Sequence, residues 1–362
     1  MPAFSGTLRS NEIFAALYNM IISQEVFADN LSGTYSELVD MARVDGSLYG
    51  DTKLYYSTDV LKSVEWGADD EALNLLALHR PPAPACQAII LDKFRQISLT
   101  VDNYLSKRAW GTEGAFSSFN GVMLGWIRET KRVYDSLTYN VFVCQKDAEN
   151  GQLSAFTNDY TLPSDPTPDQ IEAYNRLTAQ GIAKHIADLV VDMKRPSRKY
   201  NKYGYLRSYN KDDLIVVWNA DWVNKIINID LPTIYHKDGL FDFKYVLPAE
   251  YFGDGITESE GAAGLNAHSA IEQDINGTHY FPGDKIEADD AADSAGAEVY
   301  TPNANIICKI YTKLPPYMSA FEVGTSFFNP KSLTENHYLT WGHNTLEALY
   351  NYPNITVTNG DA

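Results

Sequence analysis

Residues 115–137 read AFSSFNGVMLGWIRETKRVYDSL, and the folding of this stretch organises the rest of the chain. Its bulky apolar residues are Phe116, Phe119, Val122, Met123, Trp126, Ile127, Val133, Tyr134 and Leu137. They recur at intervals of three and four, the spacing of one face of an α-helix. At about 1.5 Å per residue such a helix runs about 34 Å, close to the width of a small domain. One long spine is expected, with other elements packed along it. Gly121 and Gly125 are four apart and share one side, next to Trp126. Each glycine costs roughly 1 kcal/mol of helix propensity relative to alanine. Either another backbone crosses closely there, or the glycines are tolerated in a well-buried helix.

Upstream of the spine, residues 53–105 read as a long excursion. KLYYSTDVLKSVEW (53–66) is strand-like, and QAIILDKFRQISLTVDNYL (87–105) is strand-like again. Ile97, Leu99 and Val101 alternate with Gln96, Ser98 and Thr100, as expected when only one face is covered. The tip between the limbs carries Trp66, Leu73, Leu75, Leu76 and Leu78. An isolated two-stranded hairpin is marginal in water, so this apolar tip needs a surface, on its own body or on another subunit. Earlier still, Ile13, Phe14, Leu17, Ile21 and Ile22 have helical spacing, and Tyr35–Met41 allows one further turn.

Downstream, TYNVFVCQ (138–145) is rich in β-branched and aromatic residues and predicts a strand. KDAENG would then turn the chain into a return strand, QLSAFT. Thr167-Pro168-Asp169-Gln170 opens the best-marked helix, with an N-cap, Pro at the first position and Gln three after the cap. Pro196 ends it. Lys194, Arg195, Arg198, Lys199, Lys202 and Arg207 follow, interleaved with tyrosines. Such a cluster either caps the helix and pairs with acids or contacts a single-stranded nucleic acid. The run Leu214–Trp218 predicts a strand buried on both faces, and Asn219-Ala-Asp221 can cap a short helix after it. β character returns in NIICKIYTKL, FEVGTSFF, NHYLTWGH and NITVT, with a helical turn expected at Thr345–Tyr350.

Of the formal charge of −18, residues 254–298 carry eleven acids and one base, a net of −10. They hold few large apolar residues, so an exposed insertion or mobile loop is expected. No basic domain is present to grip phosphates, which argues against sequence-specific nucleic-acid binding. The chain's 362 residues and 44% hydrophobic content suffice for two domains or more. Three widely spaced cysteines argue against a disulfide framework. Neither a secretory signal nor an apolar run near the ~20 residues of a membrane span is visible.

Phosphate-loop, dinucleotide, zinc-protease, paired-cysteine and nucleophile-elbow motifs are all missing. His337 and His343 lie six apart, a poor spacing for a metal. No catalytic residue, cofactor or metal ligand is therefore assigned. The 24 tyrosines and 6 tryptophans suit extended contact surfaces, and equally a carbohydrate-active enzyme.

The order of elements, with DLIVVWNADWVNKI (213–226) and SFFNPKSLTENHYLTWGHNTLEALYNYPNITV (326–357), resembles the major capsid proteins of tailed bacteriophages. The resemblance implies an α+β fold of the Hong Kong type, which encapsulin compartments share. It implies an N-arm at 1–46, an extended E-loop hairpin at 47–108, and a peripheral β-rich domain with the spine helix at 109–165 and 303–362. The axial α/β domain would span 166–302, with the acidic insertion 254–298. Trp66 and the four tip leucines would contact a neighbouring subunit, while Gly121, Gly125 and Trp126 would pack the spine helix. The implied function is a structural one, a self-assembling icosahedral head around packaged double-stranded DNA, and not an enzyme. Partners would be many copies of itself in pentamers and hexamers, with scaffolding, portal or decoration proteins. DNA would be met only through non-specific proximity, and no membrane is involved. The place would be the virion, assembled in the host bacterial cytoplasm. Some members crosslink a Lys to an Asn between subunits. Lys62, Lys93, Asn329 and Asn351 lie in suitable segments, but no local pattern marks a pair. A cargo-holding encapsulin shell is the nearest alternative.

Overall fold

The computed structural model describes residues 36–46, 52–63, 78, 80–102, 113–149, 151–158, 161–225, 243–261, 264 and 266–360. In chain order its elements begin with α1 (Glu37–Ala42), β1 (Arg43–Asp45), β2 (Thr52–Ser57), β3 (Ala85–Asp102) and α2 (Glu113–Cys144). β4 (Gln152–Phe156), α3 (Pro168–Lys194), β5 (Ile215–Asn219), a short helix α4 at 220–225 and β6 (Tyr245–Leu247) follow. The acidic segment holds β7 (Thr257–Glu258), β8 (His268–Ser269), β9 (Gln273–Ile275), β10 (Thr278–Tyr280), α5 (Ala288–Ala291) and β11 (Glu298–Tyr300). The chain closes with β12 (Ile306–Tyr311), β13 (Tyr317–Asn329), β14 (Thr334–Asn344) and β15 (Asn354–Asn359).

The core is a five-stranded sheet of order β4-β15-β12-β5-β6 between two long helices. The apolar run read as a doubly buried strand is β5. Trp218 packs on the side of α3 and Val217 on the side of α2. All six residues of the central strand β12 are buried. α3 presents Ala179, Ile182, Ile186 and Met193 to one face of the sheet. Its start is the expected capping box: Gln170 Oε1 accepts from the Thr167 N–H at 3.0 Å. Gly181 lets α3 approach β4, because a Cβ there would lie 2.6 Å from Phe156 Cζ. At the end of β5, Asn219 Oδ1 accepts from the Asp221 N–H at 3.0 Å and starts α4, as read from the sequence.

The spine helix is longer than its periodicity suggested. α2 continues through Cys144, so TYNVFVC is helix and not a strand, and QLSAFT does not pair back on it. Instead β4 runs parallel to β15. The reason is burial: Tyr139, Val141, Val143 and Cys144 have no exposed surface. β propensity is weak beside packing, and a helix end enclosed on all sides reads as a continuous apolar run. Tyr139, Val143 and Cys144 fill the second face of the core sheet with Leu38, Val39 and Ala42 of α1.

A second five-stranded sheet, β1-β13-β14-β3-β2, leaves the core at an edge. β3 does return antiparallel to β2, with Tyr56 opposite Cys86. Its distal half, however, pairs with β14 from Leu91 opposite Asn344 to Asp102 opposite Thr334. The excursion is thus rooted in a sheet and is not a free-standing pair. The expected helical turn at 345–350 is irregular chain that enters a turn at Tyr350. Gln87 makes the local bonds instead: Nε2 donates to Ala348 O at 3.0 Å, and Oε1 accepts from the Tyr350 N–H at 2.9 Å.

The acidic segment is folded rather than loose. Its strands form a three-stranded sheet, β7-β11-β8, and a β9–β10 hairpin. Ala267, Ile275, Tyr280, Ile286, Ala291, Ala297 and Val299 make a core of their own. Composition misled because three alanines, two isoleucines and Tyr280 suffice to fill so small a core with Val299. Tyr280 O–H donates to the buried Asp290 at 2.6 Å, and Tyr300 O–H to Glu250 O at 2.8 Å. The segment lies against α2 and β3: Val141 packs with Ala270 and Tyr300, and Arg95 donates to Glu272 O at 2.6 Å.

Candidate assembly surfaces

A joint of buried polar groups fixes the open sheet to the spine. Asp135 on α2 is 1% exposed and accepts from Lys131 Nζ at 3.0 Å and from Tyr317 O–H at 2.5 Å. Arg43 of β1 stands 3.7 Å from the same carboxylate. Nearby, Tyr134 of α2 lies 2.8 Å from His343 Nε2 in β14, and Arg95 of β3 donates to the Tyr134 oxygen at 3.3 Å. His343 Nδ1 faces the Asn344 carbonyl at 2.9 Å. A carbonyl can only accept, so Nδ1 carries the proton and Nε2 accepts from Tyr134. Burial lowers the His343 pKa and keeps the ring neutral. Strands β1, β3, β13 and β14 are all held to one helix by these contacts.

Beyond the joint, one face of the β2–β3 pair is open and Ile89 on the other is buried. Leu54 and Tyr56 of β2 stand opposite Ala88 and Cys86, and Thr52 opposite Ile90, so Leu54, Tyr56 and Ile90 share one face. That face is open: Tyr56 is 64% and Ile90 54% exposed. At the far end of the β13–β14 hairpin, Phe327, Phe328 and Leu333 are exposed. Leu333 also has φ +55, an uncommon conformation for a leucine, and it holds an apolar side chain at the hairpin tip. Contiguous exposed apolar groups of this kind mark contact surfaces. The strand alternation of TKLYYS was a readable signal for Leu54 and Tyr56. The hairpin tip was not singled out, because SFFNPKSL gives no face before its pairing is known.

Of the residues expected at the excursion's tip, Leu78 is 81% exposed, while Trp66, Leu73, Leu75 and Leu76 lie outside the described residues. So does the amphipathic stretch 10–28. On the spine, Gly121 and Gly125 are exposed, and a Cβ at either would meet no atom of the described residues within 4 Å beyond its own helix turn. Trp126 is 40% exposed. Among the described residues, therefore, neither a crossing backbone nor burial accounts for the two glycines.

The basic cluster is spent on ion pairs and caps. Asp192 accepts from Arg195 at 3.0 Å, Lys199 at 3.1 Å and Tyr200 at 2.6 Å. Lys202 meets Glu149 at 3.2 Å. Arg198 pairs with Asp59 at 2.6 Å, and Arg207 donates to Thr58 O at 2.6 Å. The Leu206 N–H and Arg198 hold the Asp59 carboxyl down to about 2. These bonds latch the exit of β2 to the loop after α3. Among the described residues no group of three His, Cys, Asp or Glu could hold a metal ion. None of the described helices is long and apolar enough to cross a membrane.

A spine helix, a core sheet between helices and a projecting sheet with bare apolar faces are parts built to meet other chains. The family model for the Phi29-like phage major capsid protein matches residues 7–347. The chain belongs to that family. Its role is that of a tailed-phage major capsid protein, a structural protein of the virion and not an enzyme. Solved structures agree on the α+β fold of the Hong Kong type. The chain is similar to one in the capsid structure of Staphylococcus phage Andhra, with TM-score 0.56 and 11% identity over 87% of this chain and 82% of that one. It is also similar to a chain in the structure of head fiber and inner core protein gp22 of native bacteriophage P68. There the TM-score is 0.57 and the identity 10%, over 87% of this chain and 83% of that one. Nothing matches among curated protein sequences. At such identities the likeness concerns the backbone, so the capsid protein's contact residues must be argued from its own surface.

Proposed function

We propose that this capsid protein closes an icosahedral shell around double-stranded DNA by laying residues 47–108, the E-loop, over a neighbouring subunit. The exposed apolar face of Leu54, Tyr56 and Ile90, together with the leucine-rich sequence between the two limbs, supports this reading. One contact of standard size buries about 1,600 Å². Several such contacts per subunit add by multivalency. On this reading residues 1–46 are an N-arm, and 109–165 with 303–362 form the peripheral domain around the spine. Residues 166–302 form the axial domain, which would gather in pentamers and hexamers. β5 and β6 hydrogen-bond into the same sheet as β12 and β15, which supports a stiff connection between those two domains. Scaffolding, portal or decoration proteins are further partners, and assembly belongs to the host bacterial cytoplasm. The formal charge of −18 keeps the wall from gripping the packaged DNA.

The test replaces the tip, residues 66–86, by a short Gly-Ser turn. Burying the four leucines on a neighbour contributes several kcal/mol, at about 1.5–3 kcal/mol per fully buried side chain. Leu78, the one of the four that the structure describes, is 81% exposed. A soluble, cooperatively melting subunit that forms no normal shells is expected from circular dichroism and electron microscopy of one sample. Normal shells from this variant would refute the E-loop role, and an unfolded subunit would place the tip on its own body.

A further inference from the structure

Lys309 lies mid-strand in β12 and has no exposed surface. It stands opposite Thr356 of β15, and its Nζ is 2.9 Å from Thr356 Oγ1. Two residues on, Tyr311 stands opposite Asn354 in the same ladder. Side chains alternate along a strand, so Lys309 and Asn354 share a face as diagonal neighbours. Such pairs are about 7–8 Å apart at the backbone, within reach of a long side chain. Asn354 is 3% exposed, and its Oδ1 has no hydrogen-bond partner. Its Nδ2 donates to Asp147 Oδ2 at 3.1 Å. Asp147 is also the carboxylate whose charge acts most on Lys309. A buried amine, a buried carboxamide with an idle oxygen and a carboxylate on the amide nitrogen thus share one side of the sheet.

We infer that Lys309 and Asn354 condense inside the folded subunit into an isopeptide bond between β12 and β15, with Asp147 relaying the proton. Lys309 Nζ attacks Asn354 Cγ, so the Nζ–Cγ bond forms and the Cγ–Nδ2 bond breaks. Asp147 takes the proton released by the attacking amine and hands it to Nδ2, which leaves as ammonia. One amine and one carboxamide become one amide and one ammonia, so no oxidant, reductant or co-reactant is required. The nucleophile must be uncharged, and burial pushes the Lys309 pKa down to about 7. Tyr311, Thr356 and Cys144 around the pair are buried. A cavity of about 640 Å³, lined by Asp147, Tyr311 and Asn354 among others, gives ammonia a way out. The link would close residues 309–354 into a covalent ring containing β13 and β14. It lies within one chain and involves none of the Lys or Asn positions considered for crosslinks between subunits.

Intact-mass spectrometry and tryptic mapping of the purified full chain test this. The expected mass falls short of the sequence mass by one ammonia, and peptide 286–313, uncleaved at Lys309, is joined to peptide 332–362. Lys309→Met keeps the apolar stem without the amine and is expected at its full sequence mass. Asp147→Asn is expected to remain folded and unlinked. Wild-type protein at full mass with separate peptides overturns the inference. So does ammonia loss without a branched peptide, which is a succinimide, or a deficit that persists in Lys309→Met. Folded Asp147→Asn linking as fast as wild type overturns the relay.

Discussion

Asp135 is the residue on which the joint between spine and open sheet depends. Removing it leaves Lys131 buried without that partner and Tyr317 O–H without its acceptor. Breaking a buried ion pair from one side costs about 3–5 kcal/mol, so Asp135→Ala should lower subunit stability by that order in a denaturant melt. Asp135→Asn, which keeps an acceptor, should cost less. His343 gives the joint a pH dependence. Its pKa is lowered in the folded state by burial. Above about pH 6.5 the ring is neutral whether folded or not. Below that, the unfolded chain takes up a proton that the folded one refuses, so stability falls with pH. His343→Gln retains an acceptor for Tyr134 and does not titrate. Its melting temperature should therefore drop less than the wild type's between about pH 7 and about pH 5.

Among the elements, the N-terminal half of α2 is the least explained by the subunit alone. Gly121 and Gly125 meet no described residue outside their own helix turn, unlike Gly181, which Phe156 crowds. If no other chain crosses them, Gly121→Ala with Gly125→Ala should stabilise the subunit by up to roughly 1 kcal/mol each and leave assembly unchanged. We expect the stabilisation together with a loss of shells, because a neighbour's backbone would use the space. Melting and particle yield measured on the same double variant separate the two cases. Elements with local chemistry were legible in the sequence: the Thr167–Gln170 capping box, the Asn219 cap, and the 96–101 alternation of β3. Those decided by distant packing were not. Tyr139–Cys144 is helical because α1 and the core sheet enclose it. β3 continues past β2 because β14, more than two hundred residues later, supplies the partner. The acidic segment folds around small residues that no periodicity flags. The exposed apolar residues were not singled out in the sequence: 53–66 reads as strand-like without a face, and Phe327, Phe328 and Leu333 needed the hairpin's course.

At the scale of the whole molecule, the chain builds its main core on one sheet between two helices and leaves apolar residues of a second sheet, Leu54, Tyr56, Ile90, Phe327 and Phe328 among them, exposed. A monomer gains little from that division. A shell gains much, because each subunit can then cover its neighbours on several sides. The net charge of −18 keeps such surfaces soluble until they are covered. Such subunits close into a shell. Analytical ultracentrifugation of the native protein recovered from its natural source tests it most directly. Large closed particles of one size class, accounting for nearly all the protein, are predicted. A single sharp monomer boundary with no large species would contradict the account.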